Sequence, residues 1–215
     1  MEIKISAKAF AEFVLGGPSK KAATVRYLLK PQSTEAQIVM RYYSRAVQII
    51  RSYHDAENDS AFLRAEIQGL QKKAETAESN QSRTKLMNNL RAIVTYMEIY
   101  GEREWRIVPC PRIYHSSSSV RISATPDLAI LEGKRLRLVK LGVRKQPENS
   151  EAIRLMLRVM YQAASSRMEI SPQDVLFFDV SKRETLRGIK GDAALAKTIE
   201  MGCARLHQMV QSWAA

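Results

Sequence analysis

The pattern of apolar and polar positions divides the chain into a helical first half and a second half where strands and helices alternate. Ile3 to Ile5 form a short extended piece. A helix is predicted from about Ser6 to Leu15, and Gly16-Gly17-Pro18 ends it before a second helix begins. Pro31-Gln32-Ser33-Thr34 is a break. From Glu35 to Tyr53, Ile38, Val39, Tyr42, Tyr43, Ala46, Ile49, Ile50 and Tyr53 recur at helical spacing and predict one buried face. Residues 59–103 read as a helical hairpin inserted into the fold. Phe62, Leu63, Ile67 and Leu70 lie on one arm, Leu86, Leu90, Ile93, Val94 and Met97 on the other, and Ser79-Asn80-Gln81-Ser82 makes the turn.

Beyond Glu104 the period shortens to that of strands. Glu104 to Tyr114, EWRIVPCPRIY, is predicted to be the first, with Pro109 and Pro111 at an edge or bulge because proline cannot donate to a ladder. His115 to Ser119 reads as a polar loop. Val120 to Leu131 and Leu136 to Val143 are predicted as two strands, broken by Glu132-Gly133-Lys134. A helix follows from Ser150 to about Ser165. Its buried stripe is Ile153, Met156, Leu157 and Met160, with Arg154 and Arg158 one turn apart on another face. Asp174 to Val180 is a buried strand and Glu184 to Ile189 a weaker one. Gly191-Asp192 opens the last helix, Ala193 to Trp213. The expectation is one domain in three parts: N-terminal helices (1–58), the inserted hairpin (59–103) and a sheet-containing core (104–215).

Composition narrows this reading. The chain has 215 residues, 45% hydrophobic and 26% charged, which is ordinary for a globular protein. No apolar run approaches the roughly 18 residues of a membrane span. Lys4, Lys8 and Glu12 interrupt the apolar core that a secretory leader would need. Cys110 and Cys203 lie far apart and outside any metal-ligand spacing, so a reduced, cytoplasmic setting with buried thiols is expected.

Charge adds the first functional hint. Thirty-four basic and 22 acidic residues give a net +12. The excess avoids residues 55–104 and concentrates between Lys134 and Lys145, where Lys134, Arg135, Arg137, Lys140, Arg144 and Lys145 occur with no acid. Such a field suits a polyanion, and nucleic acid is the expected partner, DNA ahead of RNA. No membrane partner is expected, because the basic residues fall on predicted strands rather than on an amphipathic helix.

Pro126-Asp127 in one strand, a short turn, and Lys140 near the end of the next strand make an order that resembles the PD-(D/E)XK nuclease superfamily. The resemblance implies a restriction-endonuclease-like α+β (or α/β) fold: a mixed central sheet flanked by helices, with the hairpin inserted. In working members, two carboxylates hold Mg²⁺ or Mn²⁺ and a lysine orients or deprotonates water. Aligning RLRLVKLGVRK with that pattern puts Lys140 at the second carboxylate and Gly142 at the lysine. Asp127 and Lys140 are thus the remnants of a catalytic set, with no cofactor expected. The N-terminus resembles RecB-type and AddB-type members, with Lys20 and Lys21 on the basic helix after Pro18, but no cysteine precedes Pro18 and no iron–sulfur cluster is expected. A RecB-type histidine ligand would correspond to His54. Tyr161 matches a substrate-contacting tyrosine, while Leu157 stands where its companion glutamine would be.

The leading expectation is an inactive nuclease-like protein that binds nucleic acid, or serves a nucleic-acid-processing or defence complex, through Lys20, Lys21, the six basic residues from Lys134 to Lys145, Arg154 and Arg158. Two others stand beside it. One is an active Mg²⁺- or Mn²⁺-dependent nuclease with migrated ligands, Asp127 with His54 and Glu57 or Glu66. The other is an interaction subunit that binds a protein through residues 59–103.

Overall fold

Ser6 closes one element and opens another. It ends β1 (Ile3–Ser6), and its hydroxyl accepts the Ala9 N–H at 3.2 Å, which caps α1 (Ala7–Leu15). At Gly16 a Cβ would stand 2.6 Å from the Glu12 carbonyl oxygen, so only glycine lets the chain turn this tightly into α2 (Pro18–Leu29). The protein is described by a computed structural model over residues 2–29, 42–144, 149–190 and 193–214. The predicted break at Pro31 to Thr34 and the start of the helix from Glu35 lie outside these residues, as do Lys145 and Gly191-Asp192; at Tyr42 and Tyr43, expected to be helical, the chain is a turn, and the helix begins at Ser44.

Among the described residues three helices follow. They are α3 (Ser44–Asp55), α4 (Ser60–Glu75), capped by the Asp59 carboxylate, and α5 (Asn80–Tyr100), capped by Ser79. The sheet region then departs from expectation in three places. β2 (Arg106–Val108) is shorter than predicted, ending where Pro109 and Pro111 remove ladder donors. The predicted serine loop is mostly strand. β3 (Tyr114–Ser117) and β4 (Val120–Ser123) form a hairpin whose two turn residues, Ser118 and Ser119, have φ of 48° and 61°, as a tight turn of the right twist requires. The predicted strand from Val120 to Leu131 is two strands in different sheets. β4 ends at Ser123 and β5 (Leu128–Glu132) starts past Pro126, whose missing N–H cannot carry a ladder onward.

β6 (Arg135–Gly142), α6 (Ser150–Ser165), β7 (Val175–Asp179), β8 (Glu184–Arg187) and α7 (Ala193–Ala214) complete the chain. The larger sheet has the order β2-β5-β6-β7-β8. All its pairs are antiparallel except β6 with β7, which α6 connects as parallel pairing demands. The smaller sheet has the order β1-β4-β3, with β1 parallel to β4. The class is mixed α+β with two mixed sheets.

Strand alternation divides the interior into two cores. Ala129, Leu138, Val175 and Phe177 face α1, α6, α7 and the smaller sheet. Leu128, Ile130, Val139, Leu141, Leu176 and Phe178 face α3 and α5. α5 sends Ile93, Tyr96 and Tyr100 into this second core, and α4 adds Leu70. The hairpin expected as an insertion therefore has an inner arm that is one of the two helical layers of the sheet. Both arms are helical as their pattern predicts, but periodicity does not say what a helix packs against.

Candidate functional site

The β5–β6 register pairs Leu128 with Val139, which sets Asp127 opposite Lys140 one step beyond. The Asp127 N–H donates to the Val139 carbonyl at 2.8 Å, extending the ladder to that residue. By alternation, Asp127 shares a face with Ala129, and Lys140 shares it with Leu138. Their side chains meet. Lys140 Nζ donates to Asp127 Oδ1 at 2.7 Å and to the Thr125 carbonyl at 3.4 Å, and Asp127 Oδ2 accepts the Leu141 N–H at 2.8 Å. The side chains are 18% and 30% exposed, so each charge has lost most of its water and depends on the other. Cys110 donates its S–H to the Asp127 carbonyl at 3.5 Å, and burial pushes this thiol upward in pKa, keeping it protonated.

Two positions along β6, Gly142 shares this face. A Cβ there would stand 2.3 Å from Phe177 Cζ and 3.3 Å from the Phe178 carbonyl oxygen, so no side chain fits unless Phe177 moves. Asp179 pairs with Gly142 across β7. Its Oδ1 accepts from the Ser181 N–H and hydroxyl at 3.0 and 2.7 Å and from the Lys182 N–H at 3.1 Å, so this carboxylate closes the β7–β8 turn. Among the described residues, no three His, Cys, Asp or Glu side chains gather as metal ligands would.

His54 belongs to the other side of the sheet. It is buried beside Tyr53, Tyr96 and Trp105, with Nδ1 2.8 Å from Asn58 Oδ1 and Nε2 3.0 Å from the Tyr96 hydroxyl. Burial lowers its pKa and raises that of Tyr96 well above the usual phenol value, so both are neutral hydrogen-bonding groups. Glu66 pairs with Arg45 at 2.5 Å. Glu57 takes a φ of 51° in the turn after α3. The structure does not bring these residues together around Asp127.

The basic run of β6 is distributed in the same way. Arg135 Nε lies 2.5 Å from Asp174 Oδ1, Arg137 pairs with Glu132, and Lys140 with Asp127. Strand alternation turns Arg135 and Arg137 away from the Lys140 face. Lys134 is exposed at the hairpin turn. Arg144 instead leaves the strand for a cleft of about 280 Å³ between α1 and the start of α6, which Lys8, Glu12, Lys20 and Asn149 also line. Lys20 leans toward Glu12 at 3.5 Å, and Lys21 lies next to it on α2, outside that lining. Arg154 and Arg158 edge a separate, narrow crevice with Arg187, and among the described residues none of the three has a carboxylate partner. The Arg158 guanidinium lies 5.3 Å from the Tyr161 ring centre. Lys8 and Arg187 were not legible as site residues, because only the tertiary fold brings Lys8 to Lys20 and Arg144, and Arg187 to Arg154 and Arg158. Comparison with protein-family models, curated proteins and solved structures returns no match.

Proposed function

We propose that this protein is a catalytically silent, nuclease-like module that binds nucleic acid through the basic cleft between α1 and α6. The observation that carries the reading is the Asp127–Lys140 ion pair. A Pro-Asp leads into one strand, a turn follows, and the next strand presents on the aspartate's face an ammonium where a PD-(D/E)XK enzyme has its second carboxylate. The next residue on that face is Gly142, packed against Phe177. The chain order of strands, helix, strands and terminal helix supports the same resemblance.

The constellation competes with a divalent cation for the Asp127 carboxylate. The cation needs hard oxygen ligands, and here one carboxylate oxygen is held by Lys140 and the other by a backbone N–H. The cleft between α1 and α6 has the opposite character: Lys8, Lys20 and Arg144 against Glu12 give it a positive lining, and its width suits a phosphate backbone.

Binding of labelled single- and double-stranded DNA, measured from low to moderate salt, tests the reading. Affinity is expected to fall with a log-log slope of about −0.7 per phosphate contact on single strands and about −0.9 on duplex. Lys20→Ala with Arg144→Ala should make the slope shallower by one to two contacts. No DNA cleavage is expected with Mg²⁺ or Mn²⁺. Cleavage that Asp127→Ala abolishes would establish the enzyme reading instead, and absence of binding at every salt would reject the nucleic-acid role.

A further inference from the structure

On the other side of α1 lies a second and larger cleft, about 520 Å³, between the smaller sheet and α2. That is the size at which a cavity takes a small ligand rather than one or two waters. Its apolar floor is Ile5, Ala9 and Leu28. Two tyrosines and two cations line the walls: Tyr27 on α2, Tyr114 on β3, Lys4 on β1 and Arg121 on β4.

The arrangement of these groups is specific. The Arg121 guanidinium carbon lies 4.1 Å over the Tyr114 ring centre, a cation–π pair in which the planar guanidinium supplies a flat cationic plate. The plate is held by the hairpin register, which pairs Ser116 with Arg121 and Tyr114 with Ser123 across β3 and β4. Glu2 forms long ion pairs with Lys4 and Arg121, at 3.7 and 3.9 Å, which offset part of their charge but make no hydrogen bond, so the N–H donors of both cations keep capacity for a phosphate that displaces the carboxylate. Ser123 adds a hydroxyl, and Ser6, at the end of β1, adds another whose oxygen already accepts the Ala9 N–H; the Thr24 hydroxyl on α2 already donates to the Lys20 carbonyl. A flat plate beside cations and hydroxyls over an apolar floor matches a planar heteroaromatic ring carrying a phosphate.

We infer that this cleft binds one nucleotide unit, its base stacked on the Arg121–Tyr114 pair and its phosphate held by Lys4 and Arg121. The inference extends the nucleic-acid reading but does not share its site, because none of these residues lines the Lys20–Arg144 cleft. A base reaches such a plate only when it is unpaired, so the site confers preference for single strands. The unit is either part of a strand or a free nucleotide.

The test measures a labelled single-stranded oligodeoxynucleotide, the matching duplex, and free dCMP against wild-type protein, Tyr114→Ala, Arg121→Ala and the Lys20→Ala/Arg144→Ala pair. Loss of one stacked base is expected to weaken single-strand binding roughly tenfold in Tyr114→Ala and in Arg121→Ala, with duplex binding unchanged. The Lys20→Ala/Arg144→Ala pair should weaken both. Competition by dCMP assigns the site to free nucleotides as well, and failure of dCMP with a retained Tyr114 effect assigns it to a unit within a strand. In wild-type protein, NMR signals of the Tyr114 ring and Arg121 Nε should shift on addition of the oligonucleotide, a readout independent of whether a variant folds. Unchanged single-strand binding in both well-folded variants, or ligand shifts confined to residues outside this cleft, overturns the inference. If the Lys20→Ala/Arg144→Ala pair has no effect while Tyr114→Ala does, the second cleft stands and the proposed interface fails.

Discussion

The two faces of the larger sheet handle polar groups in opposite ways. Toward α3 and α5, the polar atoms of an aromatic cluster are closed off by one another. Tyr96 bonds His54, His54 bonds Asn58, Tyr100 bonds Thr185 at 2.9 Å, and the Tyr100 ring stacks on Phe178 at 4.3 Å. Toward α1 and α6, one ion pair is sealed near the surface while neighbouring cations line open clefts. Both faces carry a hydrophobic core; the first closes its polar groups on one another, and the second is the one whose cations the proposed function assigns to a polyanion. A histidine, three tyrosines and a tryptophan in one place invite a functional reading, yet here they are buried and bonded to one another and their neighbours.

If that contrast is right, the largest effect on stability comes from the aromatic face. Tyr96→Ala removes a fully buried ring and orphans His54, and should lower unfolding free energy by about 3–5 kcal/mol in urea titrations. DNA affinity of the remaining folded protein should be unchanged. Reduced affinity at equal folded fraction would break the distinction between the faces.

Next comes the sealed pair. Lys140→Met strands the Asp127 carboxylate, and the expected loss is about 2–3 kcal/mol, since both partners are mostly shielded from water. The double change Lys140→Met/Asp127→Asn should recover part of that loss, because the neutral amide keeps an oxygen for the Leu141 N–H. Additive losses would mean that the two residues do not act as a pair.

A pH series sharpens the comparison further. Burial holds the folded-state pKa of His54 below the ordinary 6.5, with the bond to Asn58 opposing. Above that ordinary value neither state carries the proton and the group is silent. As pH falls through it, the unfolded chain binds a proton that the folded chain refuses, so stability declines. His115, also lowered by burial against an opposing Glu200, adds to the same slope. In His54→Gln the urea midpoint should fall less steeply between about pH 7 and 5 than in wild type. An unchanged slope would remove His54 from the neutral, buried set.

The smallest effect lies at the β3–β4 turn. Ser119 holds a φ of 61°, which suits glycine, and Ser119→Gly should raise stability by about 0.5 kcal/mol after the added freedom of the unfolded chain is subtracted. A thermal melt resolves the direction.

Much of this was legible from the residues. Helix ends at Ser6, Gly16, Asn149 and Ser165 follow from caps and breakers that act locally, and the run from Val175 to Asp179 is apolar enough to be a strand in any context. That Lys140 would stand beside Asp127 was implied by the resemblance, which aligns it with the second carboxylate, and the β5–β6 register sets the two residues opposite each other. The division of residues 120–132 between two sheets was not legible, because Ile122 and Ile130 look alike in sequence and only their partners differ. Nor was the dispersal of the basic run, since Asp174 and Glu132, which pair with Arg135 and Arg137, are chosen by tertiary packing and register. The smaller sheet and its cleft depend on β1 joining β4 in parallel across more than a hundred residues, a pairing that no local pattern encodes.

The most direct measurement is a Mn²⁺ titration followed by the ¹³C carboxyl signal of Asp127, in wild-type protein and in Lys140→Ala. With an ammonium on one oxygen and a backbone N–H on the other, the wild-type signal should stay sharp at Mn²⁺ concentrations that broaden it in Lys140→Ala. Selective broadening of Asp127 in the wild-type protein would contradict the account, because it would show a cation reaching the carboxylate despite the lysine.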